Sequence, residues 1–148
     1  MALAILSNSL ASQEETFKNI MLAGLKANLY CAISENALKS NGKIQDIEFR
    51  KYFGNNEDDY DYFLMDVHDR EWSEGSYSHG TFRKDGTAFF LLAGTDNAPS
   101  KLCYDFSLAY LRLSTEHLIC IFDWIFTLED IERIEKDTGW FESWYENK

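Results

Sequence analysis

The chain has 148 residues and carries 25 acidic against 14 basic side chains, a net charge of −11, while 45% of its residues are apolar and 16% aromatic. That apolar and aromatic content excludes a disordered acidic tail, and the length suits one domain spanning residues 1–148. The acid surplus argues against direct binding to nucleic acid, because like charges repel the phosphate backbone.

Residues 1–11 are mildly apolar but lack the positively charged leader and small-residue cleavage site of a signal peptide. Ser12 followed by Glu15 is a capping-box signature. After it Phe17, Ile20, Met21, Gly24, Leu25, Asn28 or Leu29, and Ala32 recur at helical spacing. The pattern predicts a long amphipathic helix that stops at Asn41 and Gly42, residues able to adopt the left-handed conformation of a helix end. Residues 43–53 read as a strand from the alternation of Ile47, Phe49, Lys51 and Phe53, although Ile44, Ile47 and Phe53 also share part of a helical face.

Gly54, Asn55 and Asn56 form a turn signal, and residues 60–68 carry the strand-like set Tyr62, Phe63, Leu64, Met65 and Val67. Asp85-Gly86 between residues 77–84 and 87–93 predicts a tight hairpin whose register sets Phe82 opposite Phe89. Residues 94–100, with the single proline Pro99, read as a loop. Residues 102–113 and 118–124 read as a second hairpin around Ser114, Thr115, Glu116 and His117, with a buried helix as the alternative for the first arm.

Thr127 and Asp130 mark another helix start, with Leu128, Ile131 and Ile134 on one stripe, Glu129, Glu132 and Glu135 facing outward, and Gly139 as its break. Trp140, Phe141, Trp144 and Tyr145 are too aromatic for a solvated end and should dock on the body or on a partner. The expected architecture is α+β: an antiparallel sheet of about five strands packed by a long N-terminal helix and a C-terminal helix.

Catalytic signatures are missing from this pattern. Cys31, Cys103 and Cys120 lie in apolar surroundings with no C-x-x-C spacing, which reads as reduced core thiols and a cytoplasmic location. Asp66 and His68 fall on one side of a strand with His79 as a third candidate ligand, but a complete metal set does not emerge, and His117 is expected to face solvent. The glycines form neither a dinucleotide nor a phosphate-binding loop, and Asn55 to Asp59 lacks the central glycine and terminal glutamate of a calcium loop. The apolar stretch 118–126 contains Asp123 and falls short of the roughly 20 residues that span a bilayer. No enzyme activity, cofactor, metal, membrane or direct nucleic-acid contact is therefore expected.

The acid is clustered over residues 57–74, where Arg70 is the sole lysine or arginine. Rings are interleaved with it, so Glu57, Asp58, Asp59, Tyr60, Asp61, Asp69, Glu71, Trp72 and Glu74 become the candidate partner-binding residues. Rings supply burial and carboxylates steer a cationic partner. In size, charge and this acid-plus-ring stretch the chain resembles bacterial toxin immunity proteins of the contact-dependent growth inhibition type. The resemblance implies a cytoplasmic inhibitor of a basic cognate toxin, a nuclease domain, that occludes the active site or an adjacent surface. Two alternatives stay open: a DNA-mimicking antagonist of DNA-binding proteins, and a small ligand-binding or enzymatic α+β domain with a pocket near Asp66, His68 and His79.

Overall fold

Leu3–Ser7, where the sequence pattern predicts no element, forms an interior strand of the sheet (β1) in the computed structural model, which describes residues 1–9, 12–33, 46–67, 82–85 and 87–147. After it come α1 (Gln13–Lys26), β2 (Tyr30–Ala32), β3 (Asp46–Tyr52), β4 (Tyr60–Val67), β5 (Phe82–Lys84) and β6 (Thr87–Thr95). The chain continues through α2 (Ser100–Leu113), β7 (Leu118–Ile121), β8 (Trp124–Phe126), α3 (Leu128–Asp137) and a 3-10 turn (Trp144–Asn147). Among the described residues eight strands form one sheet in the order β2-β3-β4-β6-β1-β7-β8, with β5 paired to the start of β6. Every pairing is antiparallel. The fold is thus α+β, with more strands than expected and a third helix.

Ser12 caps α1 as its spacing predicts, accepting the Glu15 amide at 3.1 Å. The helix ends at Lys26, well before Asn41 and Gly42. Asn28 takes a positive φ of 58° and Leu29 turns into the core, which lets the chain reverse into β2 at once. Residues 34–45 lie outside the described residues. The buried stripe of α1 is Thr16, Ile20, Ala23 and Gly24, while Leu25 is exposed. An ideal Cβ on Gly24 would fall 2.1 Å from Phe49 Cε1, so the glycine lets α1 lie directly on β3.

Helix α2 takes the place of the hairpin arm favoured for residues 102–113 and matches the buried-helix alternative. Its buried residues, Leu102, Cys103, Tyr104, Phe106, Ser107, Leu108, Tyr110 and Leu111, surround most of the helix, so the run carries no clean helical stripe. Phe106 packs against Phe49 and Phe63 with centroids 5.5 and 5.7 Å away, and those two rings lie 5.3 Å apart. The helices share one core with Ile5, Ile47, Met65, Val67, Ile119 and Phe126 from one face of the sheet. On the opposite face Leu6, Leu91, Leu118 and Cys120 form a smaller cluster. A bulge between Ile5 and Leu6 leaves Leu92 as an extra residue in β6.

The β5–β6 hairpin has the expected register, Phe82 opposite Phe89, and Asp85 takes φ 52° at its turn. Residues 118–124 divide into β7 and β8 at Phe122, whose φ is 53°. Thr127 and Asp130 complete a reciprocal capping box, and Gly139 ends the α3 segment at φ 67°. Trp144 is wholly buried, 5.0 Å from Tyr104 and 5.5 Å from Phe126, so the aromatic tail closes the core. No helix among the described residues is long and apolar enough to cross a membrane.

Candidate partner-binding surface

Period-two alternation places Ile47, Phe49, Phe63, Met65 and Val67 under the helices, and so turns Glu48, Arg50, Tyr52, Tyr60, Tyr62 and Leu64 to the other face of the sheet. Register then lines Tyr30 of β2 up with Arg50 and Tyr62, and sets Tyr52 opposite Tyr60. The tyrosines form a continuous row. Tyr30 meets Tyr52 edge-on at 5.5 Å, Tyr52 meets Tyr60 at 5.2 Å, and Tyr60 meets Tyr62 at 5.9 Å.

The Arg50 guanidinium stacks 4.8 Å from the Tyr60 centroid, donates to Tyr52 Oη at 3.0 Å and pairs with Glu48. Those hydrogen bonds, first to Tyr52 and then to Glu48, raise its already high pKa, so Arg50 is a permanent cation that organises the row. Tyr30 and Tyr62 are exposed.

The acids sit at the end of this row, on the turn between β3 and β4. Gly54 supplies φ 64°, Phe53 N–H donates to Asp59 O at 2.9 Å, and Asn56 Oδ1 accepts the Asp58 amide at 3.0 Å. This ordered turn presents Glu57, Asp58 and Asp59 to solvent, with Asp61 exposed at the start of β4. Of the candidate residues, Glu57, Asp58, Asp59, Tyr60 and Asp61 are therefore brought together. Asp69, Glu71, Trp72 and Glu74 lie outside the described residues, as do His68 and His79.

Beside the row a cleft of about 540 Å³ opens between β4 and the segment after β6, lined by Tyr60 to Leu64, by Asp46, Asp66 and Asp96, and by Thr95 and Pro99 among others. Asp46 and Asp66 face each other across the β3–β4 ladder. Among the described residues no group of three or more His, Cys, Asp and Glu is arranged to hold a metal ion. Burial raises the pKa of Cys31 and pushes the Cys103 thiol up to about 12, the opposite of an activated nucleophile.

His117 does not face solvent as expected. Its Nδ1 lies 2.8 Å from Tyr110 Oη and its ring packs 5.8 Å from that tyrosine. Sequence reading missed Tyr30, Arg50, Tyr52, Asp46 and Asp96 as members of this surface. The even-numbered alternation of β3 carries the signal for Arg50 and Tyr52, whereas Tyr30 and Asp96 join only through strand pairing. No family model, no curated protein and no solved structure matches the chain.

Proposed function

We propose that this protein is an acidic inhibitor of the immunity type, which binds a basic cognate toxin, a nuclease domain, in the cytoplasm and occludes its active site or an adjacent surface. One observation carries the reading: Glu57, Asp58, Asp59 and Asp61 are exposed at the end of a tyrosine row that begins at Tyr30 and is held by Arg50. Rigid rings bury area at little entropic cost, and carboxylates beside them raise the encounter rate with a cationic surface.

Affinity capture from the source lysate at low and moderate salt, with partners identified by mass spectrometry, tests it. A single stoichiometric basic protein that survives moderate salt is expected. A broad set of DNA-binding proteins released by salt would replace the reading with mimicry of DNA, and an empty bait would overturn it. Against the captured partner, reversing Asp58 and Asp59 to lysine should slow association about tenfold, with the circular dichroism spectrum unchanged. Equal association rates would remove the 57–61 turn from the interface.

A further inference from the structure

The cleft beside the tyrosine row is walled by a strand edge. Five consecutive residues, Tyr60, Asp61, Tyr62, Phe63 and Leu64, line it. Successive side chains of a strand point to opposite faces, so neighbours of both parities border one cavity only where the backbone itself forms its wall. The ladder between β4 and β6 is short, pairing Asp66 with Gly94 and Val67 with Ala93. β6 ends at Thr95 and the chain leaves the sheet through Asp96 and Asn97. Among the described residues the rest of β4 has β3 as its only strand partner.

Register shows which backbone groups face the cleft. Phe53 N–H donates to Asp59 O, which makes that pair hydrogen-bonded, and in an antiparallel ladder hydrogen-bonded and non-hydrogen-bonded pairs alternate. Counting inward, Asp61, Phe63 and Met65 bond to β3, opposite Lys51, Phe49 and Ile47. The N–H and C=O groups of Tyr60, Tyr62 and Leu64 then point away from β3 into the cleft.

An exposed row of such groups is a template for another strand. The cleft also carries charge of one sign among the described residues: Asp46, Asp61, Asp66 and Asp96 line it, and none of its described lining residues is a lysine or arginine.

We infer that β4 binds the basic partner by strand addition: an extended, lysine- or arginine-bearing segment pairs with the Tyr60, Tyr62 and Leu64 edge, its cations meeting Asp61 and Asp96. The partner's identity rests on the inhibitor reading above; the edge itself is testable without it.

The probe is a capped synthetic peptide alternating lysine with threonine, with a glutamate-for-lysine counterpart as control. Amide hydrogen exchange resolved by residue is the readout. The lysine peptide is expected to slow exchange at Tyr60, Tyr62 and Leu64, with little change at Asp61 and Phe63, which already bond to β3. The glutamate peptide should leave all five amides unchanged. Leu64→Pro removes one outward N–H without taking a bond from β3, and should bind the peptide about tenfold more weakly than Leu64→Ala, a loss of one or two strand hydrogen bonds.

If Leu64→Pro does not fold, the exchange pattern of the unaltered protein decides alone. Absence of protection at the three amides, equal protection by the glutamate peptide, or equal affinity of folded Leu64→Pro and Leu64→Ala overturns strand addition. A captured toxin held equally by both variants would also overturn it while leaving the inhibitor reading intact. Failure to capture any toxin, with peptide protection at the edge, would overturn the inhibitor reading and leave the edge site standing.

Discussion

Gly24 is where a single missing atom decides the distance between α1 and the sheet. The Cβ of an alanine there would sit 2.1 Å from Phe49 Cε1, and Phe49 cannot swing aside because Phe63 and Phe106 hold it at 5.3 and 5.5 Å. Gly24→Ala, which by helix propensity alone would stabilise, is expected instead to cost about 1–3 kcal/mol through overpacking. Urea denaturation checks this, and a midpoint at or above that of the parent would show that the contact relaxes freely.

His117 carries a pH dependence at the same scale. Burial lowers its pKa below the usual 6.5, outweighing Glu116 and Glu15, which act to raise it. Above about pH 6.5 the ring is neutral in both folded and unfolded chains and its contribution is complete. As pH falls through that value the unfolded chain takes up a proton that the folded protein resists, so stability is lost until the folded pKa is passed. The thermal midpoint should therefore drop more between about pH 7 and pH 5 than that of His117→Gln, which has no such group. Parallel curves for the two proteins would remove His117 as the cause.

The C-terminal segment shows how an element's role depends on what it covers. Thr127 and Asp130 start α3, Ile131 and Ile134 dock it, and Gly139 redirects the chain so that Trp144 fills the space between Tyr104 and Phe126. Ser100 Oγ donates to Glu142 O at 2.9 Å and ties the segment to the start of α2. Truncation after Thr138 removes a fully buried tryptophan, a loss of about 3–5 kcal/mol, large against the whole stability of a small domain. The truncated chain is expected to lose cooperative unfolding by calorimetry. A sharp transition near the parent midpoint would mean that the aromatic tail is dispensable for the fold.

Elements with local instructions were legible. The Asp85 turn, the two N-terminal helix caps and the alternation of β3 each rest on residues a few positions apart. Helix α2 was less so, because burial around most of its circumference leaves only the narrow polar strip of Lys101, Asp105 and Arg112 to report its period.

Over the whole molecule, the net charge of −11 makes any basic partner's approach sensitive to salt. Association should slow by about tenfold or more between low and physiological ionic strength, while dissociation changes little, because screening acts on the encounter and not on buried contacts. Surface-binding kinetics across a salt series give the test, and a salt-independent association rate would contradict an electrostatically steered interface.

The sequence by itself determined the α+β class, the hairpin register that sets Phe82 against Phe89, the capped starts of α1 and α3, and the acidic turn at 57–61, because each depends on chemistry within one or two turns of chain. Only the tertiary structure decided that Leu3–Ser7 lies inside the sheet between β6 and β7, that Tyr30 joins Tyr52 and Tyr60, and that β6 parts from β4 to open an acid-lined edge. Those outcomes follow from pairing between strands far apart in the chain, where the choice of neighbour is made by the burial of the whole sheet face and by no local pattern.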